Sequence, residues 1–356
     1  MRAFTMVEMM IVVGIIVLLA SVVGPALSKA RALVWKVECG NNMRNIGLAM
    51  NSYVTDFNVY PPAYVFACPY AMVNRSLQHW TDLLSNRCPY PPCTFPTPSQ
   101  GMIQPGDLLF DCPSFERGGL PPANTIGGKG ANENTEPGQT VGAQLDRQAL
   151  RTAYTVNEAI CPRPYMQKLW CDAWPRPMPI PMATRPYQFV LPSQITSTSS
   201  TILMSEWNQD WKMLAGTDPD NPADNELCMS YSTVHGFACA GTSDPTGMVH
   251  LPTGAPCALT VVNGTSKSDP YDVAFAKPAG SGGGLRRVRV DEILADPPIP
   301  GANLARPNWL GRNHLGKTNF AYVDGHVESK TIESTLATFE WGERFYSLSP
   351  GDDITP

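Results

Sequence analysis

Charge is scarce in this chain. Of its 356 residues only 16% are charged, and Asp plus Glu (31) outnumber Lys plus Arg (26), for a net charge of −5. A chain with no basic excess and no basic run lacks the electrostatic footprint of a nucleic-acid binder. Catalytic signatures are missing too: there is no G-x-S-x-G elbow, no H-E-x-x-H, no P-loop and no G-x-G-x-x-G. Five histidines are scattered without an evident triad. No enzyme is therefore expected, and no catalytic or cofactor-binding residue is named. The ten cysteines form no C-x-x-C pair, and no repeat of fixed period is evident.

What is abundant is equally informative. Hydrophobic residues make up 43% of the chain, which argues against wholesale disorder. Proline (35) and glycine (29) punctuate it too often for a helical bundle. The exception is the amino-terminal stretch. Residues 9–28 carry no charge and are rich in Val, Ile, Leu and Met. Twenty helical residues span about 30 Å, the thickness of a bilayer core. No small-x-small cleavage site follows the run. Beyond it Met43, Ile46, Met50, Tyr53 and Phe57 recur every three or four residues, one apolar stripe on a continuing helix. The spacing predicts a single helix over 4–53, apolar all round in its first half and amphipathic in its second. Glu8 stands out, because a carboxylate entering a membrane helix is costly unless it is paired.

After Tyr60-Pro61-Pro62 ends the helix, short β-like runs occur at 107–112, 152–156, 200–205 and 285–290. Pro- and Gly-rich stretches at 88–98, 118–142, 175–186 and 216–284 separate them and read as surface insertions. Asp324-Gly325, flanked by β-formers, predicts a two-residue type I′ hairpin with Val323 opposite His326. That register puts Phe320, Tyr322 and Val327 on the core face and His326 and Glu328 on the other.

An even cysteine count in Pro-rich loops fits disulfides and an oxidising compartment. Short loops make Cys88–Cys93, Cys161–Cys171 and Cys228–Cys239 the expected local pairs. Cys39, on the amphipathic half of the helix, pairs at a distance if it pairs at all, and Cys112, placed on the first expected head strand, is a candidate partner. Cys88, Cys93 and His79 are too loosely spaced to read as a zinc site, and no metal ligand is assigned. Trp170, Trp174, Trp207 and Trp211 are read as core or loop-packing residues rather than as a binding surface.

The segment from Arg2 through Phe4-Thr5-Met6-Val7-Glu8 to Val13 resembles the class III signal of type IV prepilins and pseudopilins. The resemblance implies cleavage by a prepilin peptidase between Ala3 and Phe4, N-methylation of Phe4, and pairing of Glu8 with the Phe4 amine of a neighbouring subunit. Ala3 stands where that family usually has Gly. Pro25 also falls where such helices commonly carry a proline. His314, nine intervening residues and Asp324-Gly325 match the signature of a group of bacterial prepilin-like proteins named for that H-X9-DG spacing. Glu38-Cys39-Gly40-Asn41-Asn42, Tyr60-Pro61-Pro62, Cys112-Pro113-Ser114 and Tyr154-Thr155-Val156-Asn157 resemble further motifs of the same group. His314 is read as a hydrogen-bonding residue at the neck of the hairpin and Asp324 as turn chemistry. Some pseudopilins hold Ca²⁺ in a loop-rich head, so Asp210, Asp218, Asp220 and Asp224 are the candidate ligands, although a solvated acidic loop is the simpler reading.

The expected architecture is α+β and type IV pilin-like: one long helix packed on a small antiparallel sheet with long loop insertions. Its parts are a leader (1–3), a membrane and assembly helix (4–28), an amphipathic half (29–57) and an exported head (58–356). Lys29, Arg31 and Lys36 would by the positive-inside rule leave the head in the cytoplasm. The cysteines and the prepilin-like signal argue for a single-pass inner-membrane protein with its head in the periplasm or outside the cell. The expected role is a filament subunit, of a pilus or a secretion pseudopilus, whose partners are the prepilin peptidase and other pilin-like subunits. The alternative is a membrane-anchored module that binds polysaccharide or protein without forming filaments.

Overall fold

The computed structural model describes residues 5–66, 77–85, 108–120, 151–162, 189–216, 227–228, 233–239, 260–261, 273–274, 285–295, 306–346 and 354–355. Its dominant element is α1, Met6–Phe57, 52 residues and so about 78 Å long. Thr5 caps its start. The Thr5 side chain accepts from the Glu8 backbone N–H at 3.3 Å, while Glu8 Oε2 accepts from the Thr5 backbone N–H and hydroxyl, both at 2.8 Å. This reciprocal capping box makes Thr5 the N-cap of the helix. At the far end Asn58, at φ 56°, turns left-handed and returns its N–H to the Val54 carbonyl. Helix α1 runs four residues past Tyr53 and ends at Phe57, the expected limit of the amphipathic half, with Asn58 rather than Pro61 closing it. Pro25 lies inside the helix and has no N–H to give the preceding turn.

The two halves of α1 have opposite surroundings. Residues 5–31 are exposed throughout, despite their apolar side chains. Among the described residues one helix is therefore long and apolar enough to span a membrane, consistent with single-pass anchoring. Further along, Cys39, Met43, Ile46, Gly47, Ala49, Met50 and Tyr53 are buried, the stripe expected from the three- and four-residue spacing.

That stripe packs on a four-stranded antiparallel sheet, in the order β4-β3-β2-β1, formed by β1 (Tyr154–Val156), β2 (Ile202–Glu206), β3 (Thr318–Tyr322) and β4 (Val327–Lys330). Tyr154 lies opposite Glu206 and Ala321 opposite Met204, so Tyr154, Met204, Glu206, Asn319 and Ala321 share the face toward α1. On the opposite face Phe320 meets Trp341 edge-on at 6.3 Å. The covered faces explain why β1, β2 and β3 are buried at every position. Two short helices, α2 (Trp80–Leu84) and α3 (Ile332–Ala337), flank the core. The arrangement is α+β and consistent with a pilin-like fold.

Three expectations change. The 107–112 run is no strand over its described residues: Leu108–Phe110 is a single 3₁₀ turn, and the chain doubles back through Cys112 N–H to Gly118 O at 2.7 Å. The 285–290 run is a strand only over Leu285–Arg287, with a short helix, Val290–Ala295, following at once. The third change is the hairpin. Ala321 pairs with Val327, and Tyr322 N–H donates to His326 O, leaving a three-residue loop, 323–325. Of its residues only Gly325 has positive φ, at 92°, whereas type I′ needs two such positions. The Asp324 carboxylate selects this turn by accepting from the His326 backbone N–H at 3.1 Å. Tyr322 and His326 consequently share a face and stack at 4.1 Å, and Val327 turns toward Gly40 of α1. A turn with two positive-φ central residues does occur, at Leu315-Gly316.

Candidate functional site

Glu8 is placed, and its carboxylate already serves Thr5 within the same chain. Ala3 and Phe4 lie outside the described residues, as do Cys88, Cys93, Cys171, Asp218, Asp220, Asp224, Trp170 and Trp174. Cys228 and Cys239 fall on short strands described for their backbones only. Cys161 is a free, buried thiol whose pKa is pushed up by burial, and its expected partner Cys171 is among the residues not described. Asp210 accepts from the Lys212 backbone N–H at 3.1 Å, a turn contact. Trp207 and Trp211 are buried, as core-packing residues should be.

Several of the quoted motif residues, Cys39, Asn42, Cys112 and Tyr154, meet at the joint between α1 and the sheet. Cys39 of α1 is bonded to Cys112, across 73 residues of sequence, and both are fully buried. One turn along the helix, Asn42 Nδ2 donates to the Asp111 carbonyl at 3.0 Å. Tyr154 donates its hydroxyl to that same carbonyl at 3.1 Å and lies 3.5 Å from the Cys39 carbonyl. Burial, with the Glu206 charge nearby, drives the Tyr154 pKa well up, so this phenol stays a donor. Burial also raises the Asp111 carboxyl, against the pull of Arg151. Asn157, last of the four residues quoted with Tyr154, donates to the Ile202 and Trp341 carbonyls at 2.7 and 3.2 Å and ties the sheet to its other cover.

At the centre of the joint is a carboxylate that the sequence reading did not single out. Glu206 closes β2 and is fully buried. Its Oε2 accepts from the Asn319 backbone N–H at 2.9 Å, and its Oε1 accepts from Asn319 Nδ2 at 3.1 Å. The same amide reaches the Lys36 carbonyl of α1 at 3.0 Å. His314 Nε2 lies 3.0 Å from Glu206 Oε1, and His314 is only 1% exposed. His314 thus pairs with a carboxylate rather than with backbone, a correction to the expected role of its side chain. Three contacts set its position: Gly311 N–H to Glu206 O, Asn313 Nδ2 to Trp207 O, and the mutual backbone pairing of His314 with Lys317.

The ten-residue step from His314 to Asp324 is therefore the length of β3 with its entry and exit. A five-residue strand spans about 17 Å, so the two side chains sit at opposite ends of it and do not act together. Asp324 instead meets its hairpin neighbour His326, with Oδ1 to Nδ1 at 2.6 Å on a half-exposed surface. The arrangement around Glu206 is mechanical in character: it locks a helix onto a sheet with buried polar contacts and one covalent bond, and it is closed to solvent.

No curated protein and no solved structure matches the chain. A family model described as a protein of unknown function (DUF1559) matches residues 28–157, from the end of the apolar run of α1 to Asn157, a stretch that includes Cys39, Cys112 and Tyr154.

Proposed function

We propose that the chain is a type IV pilin-like or pseudopilin-like structural subunit that acts through assembly rather than catalysis. A prepilin peptidase removes residues 1–3 and methylates Phe4, the apolar half of α1 holds the subunit in the inner membrane, and the subunits then pack into a filament with their heads outward. The observation that carries this reading is the division of α1. One uninterrupted helix offers 27 exposed residues at one end, most of them apolar, and is locked to a folded head at the other. A free apolar rod fixed to a rigid head suits helix-to-helix packing in a bundle, and a simple anchor needs neither Thr5-Glu8 nor a preceding cut. The matched family is commonly pilin-like, which supports the same reading.

Mass spectrometry of the protein recovered from membranes tests it directly. The expected amino terminus is N-methylated Phe4. An amino terminus at Met1, or beyond residue 20, would overturn the processing step. Glu8→Ala should insert into membranes normally and yet fail to form filaments. Filaments at wild-type abundance would remove Glu8 from the assembly.

A further inference from the structure

We infer that Cys39, Cys112, Glu206 and His314 form a binding site for a thiophilic divalent cation of the Zn²⁺ class, open when the two cysteines are thiols and closed when they are bonded. One donor atom from each of the four residues lies within 4.8 Å of the others, and all four residues are buried. Tetrahedral Zn²⁺, with ligands at about 2.0–2.3 Å, holds its donor atoms about 3.3–3.8 Å apart, so the cluster needs only small side-chain adjustments once the sulfurs separate. Two sulfurs, one imidazole nitrogen and one carboxylate oxygen are a donor set that favours Zn²⁺ over Ca²⁺ or Mg²⁺.

A second observation is independent of the sulfurs. His314 Nδ1 is buried and has no hydrogen-bond partner among the described residues, although the ring's Nε2 is held by Glu206. No partner on Nδ1 fixes the tautomer, so the ring proton can pass to Nδ1 and leave Nε2, 3.0 Å from Glu206 Oε1, to face a cation shared with that carboxylate. Asn319, donating to both oxygens of Glu206, fixes the carboxylate as an outer-sphere partner would.

The redox step balances simply. A dithiol reductant delivers two electrons and two protons to the Cys39–Cys112 bond, giving two thiols, and is itself oxidised to a disulfide. Binding of the cation then releases the two thiol protons. Every newly made chain begins in the thiol state, so cation and disulfide compete for the same two sulfurs and hold the same joint.

The test uses the full chain in detergent micelles, oxidised or reduced and desalted without oxygen, with Co²⁺ and Zn²⁺ as probes. Reduced wild type should take up Co²⁺ with the intense visible bands of a tetrahedral thiolate site, displaced by Zn²⁺. One equivalent of that signal should be lost in Cys112→Ser and in His314→Gln, and the Cys39–Cys112 oxidised chain should lack it. Because a variant can fail by unfolding, alkylation of the reduced wild type is followed peptide by peptide as well. Zn²⁺ should slow alkylation of Cys39 and Cys112 at least about tenfold. Equal rates at these two cysteines with and without Zn²⁺, or tetrahedral uptake unchanged in both variants, would overturn the site.

Discussion

The two halves of α1 belong to one unbroken helix, yet physics treats them differently. In the first half apolar residues occur on every side, and among the described residues nothing covers them and no polar contact reaches them from the head. From Cys39 onward most apolar residues keep to one stripe, Leu48 apart, and the intervening positions carry Asn42, Arg44 and Asn45. Periodicity, more than total hydrophobicity, decides which surroundings a helix can satisfy: a striped helix is completed by a sheet, while a uniformly apolar one needs lipid or its own kind. The difference also marks where polar bonds are worth most. Around Cys39 they are buried and shared among several elements. At Thr5 and Glu8 they are local and solvent-facing in the isolated subunit.

The sharpest way to break this contrast is Glu206→Ala. It strips acceptors from Asn319 and the partner from His314 in a dry site, and should cost the head about 3–5 kcal/mol. Chemical denaturation should show that loss. Hydrogen exchange should show residues 39–53 losing protection, while the apolar half keeps its micelle-bound behaviour. Acid should act on the same half. His79, beside Trp80 near the lower part of α1, is buried and its pKa is pushed down to about 3. The folded state therefore refuses a proton that the unfolded chain accepts near pH 6.5. This contribution to stability is full above pH 6.5 and declines as the pH falls from there toward 3. Head stability measured across that window should drop by a few kcal/mol for this group alone, and His79→Gln should flatten the dependence.

A smaller effect is expected at the hairpin. Gly325 holds φ 92°, and the space around it is open, with only Asn51 Nδ2 near at 3.8 Å. Gly325→Val should therefore cost the strain of a left-handed β-branched residue, about 1–2 kcal/mol, and no steric clash. A fall in thermal midpoint of a few degrees is the expected reading. The smallest effect belongs to the free half. Ile16→Ala should change head stability by less than about 0.5 kcal/mol, while weakening retention of the chain in vesicles. A large loss of head stability from Ile16→Ala would mean that the two halves are not independent.

Much of this was legible from sequence. Charge-free length, followed by a three-four stripe, specified α1 and its division, and a cysteine on the amphipathic half could pair only at a distance, as Cys39 does with Cys112. The hairpin was visible from Asp-Gly, but its register was not. That register depends on whether the Asp324 side chain or a second left-handed residue stabilises the turn, and the dipeptide is compatible with both. His314 was visible by its spacing to Asp324, whereas its partner Glu206 is 108 residues away. The available signal was local. Glu206 directly follows Ile202-Leu203-Met204-Ser205, and an acid ending a strand buried at every position needs partners. The expected strand at 200–205 stopped one residue short of it. The 107–112 run misled because a short run of consecutive apolar residues, Leu108-Leu109-Phe110, fits a buried turn of helix as well as a strand.

The Cys39–Cys112 bond also sets how load travels through the subunit. A pull on the amino-terminal end of α1 runs down the helix to residue 39 and can cross there by a covalent link to residue 112, next to β1. The chain between these two residues, including the last turns of α1, is bypassed as a mechanical element. Tension on the rod therefore meets the head at the middle of the helix, and the packed stripe beyond Cys39 is left to align the head without having to bear the strain.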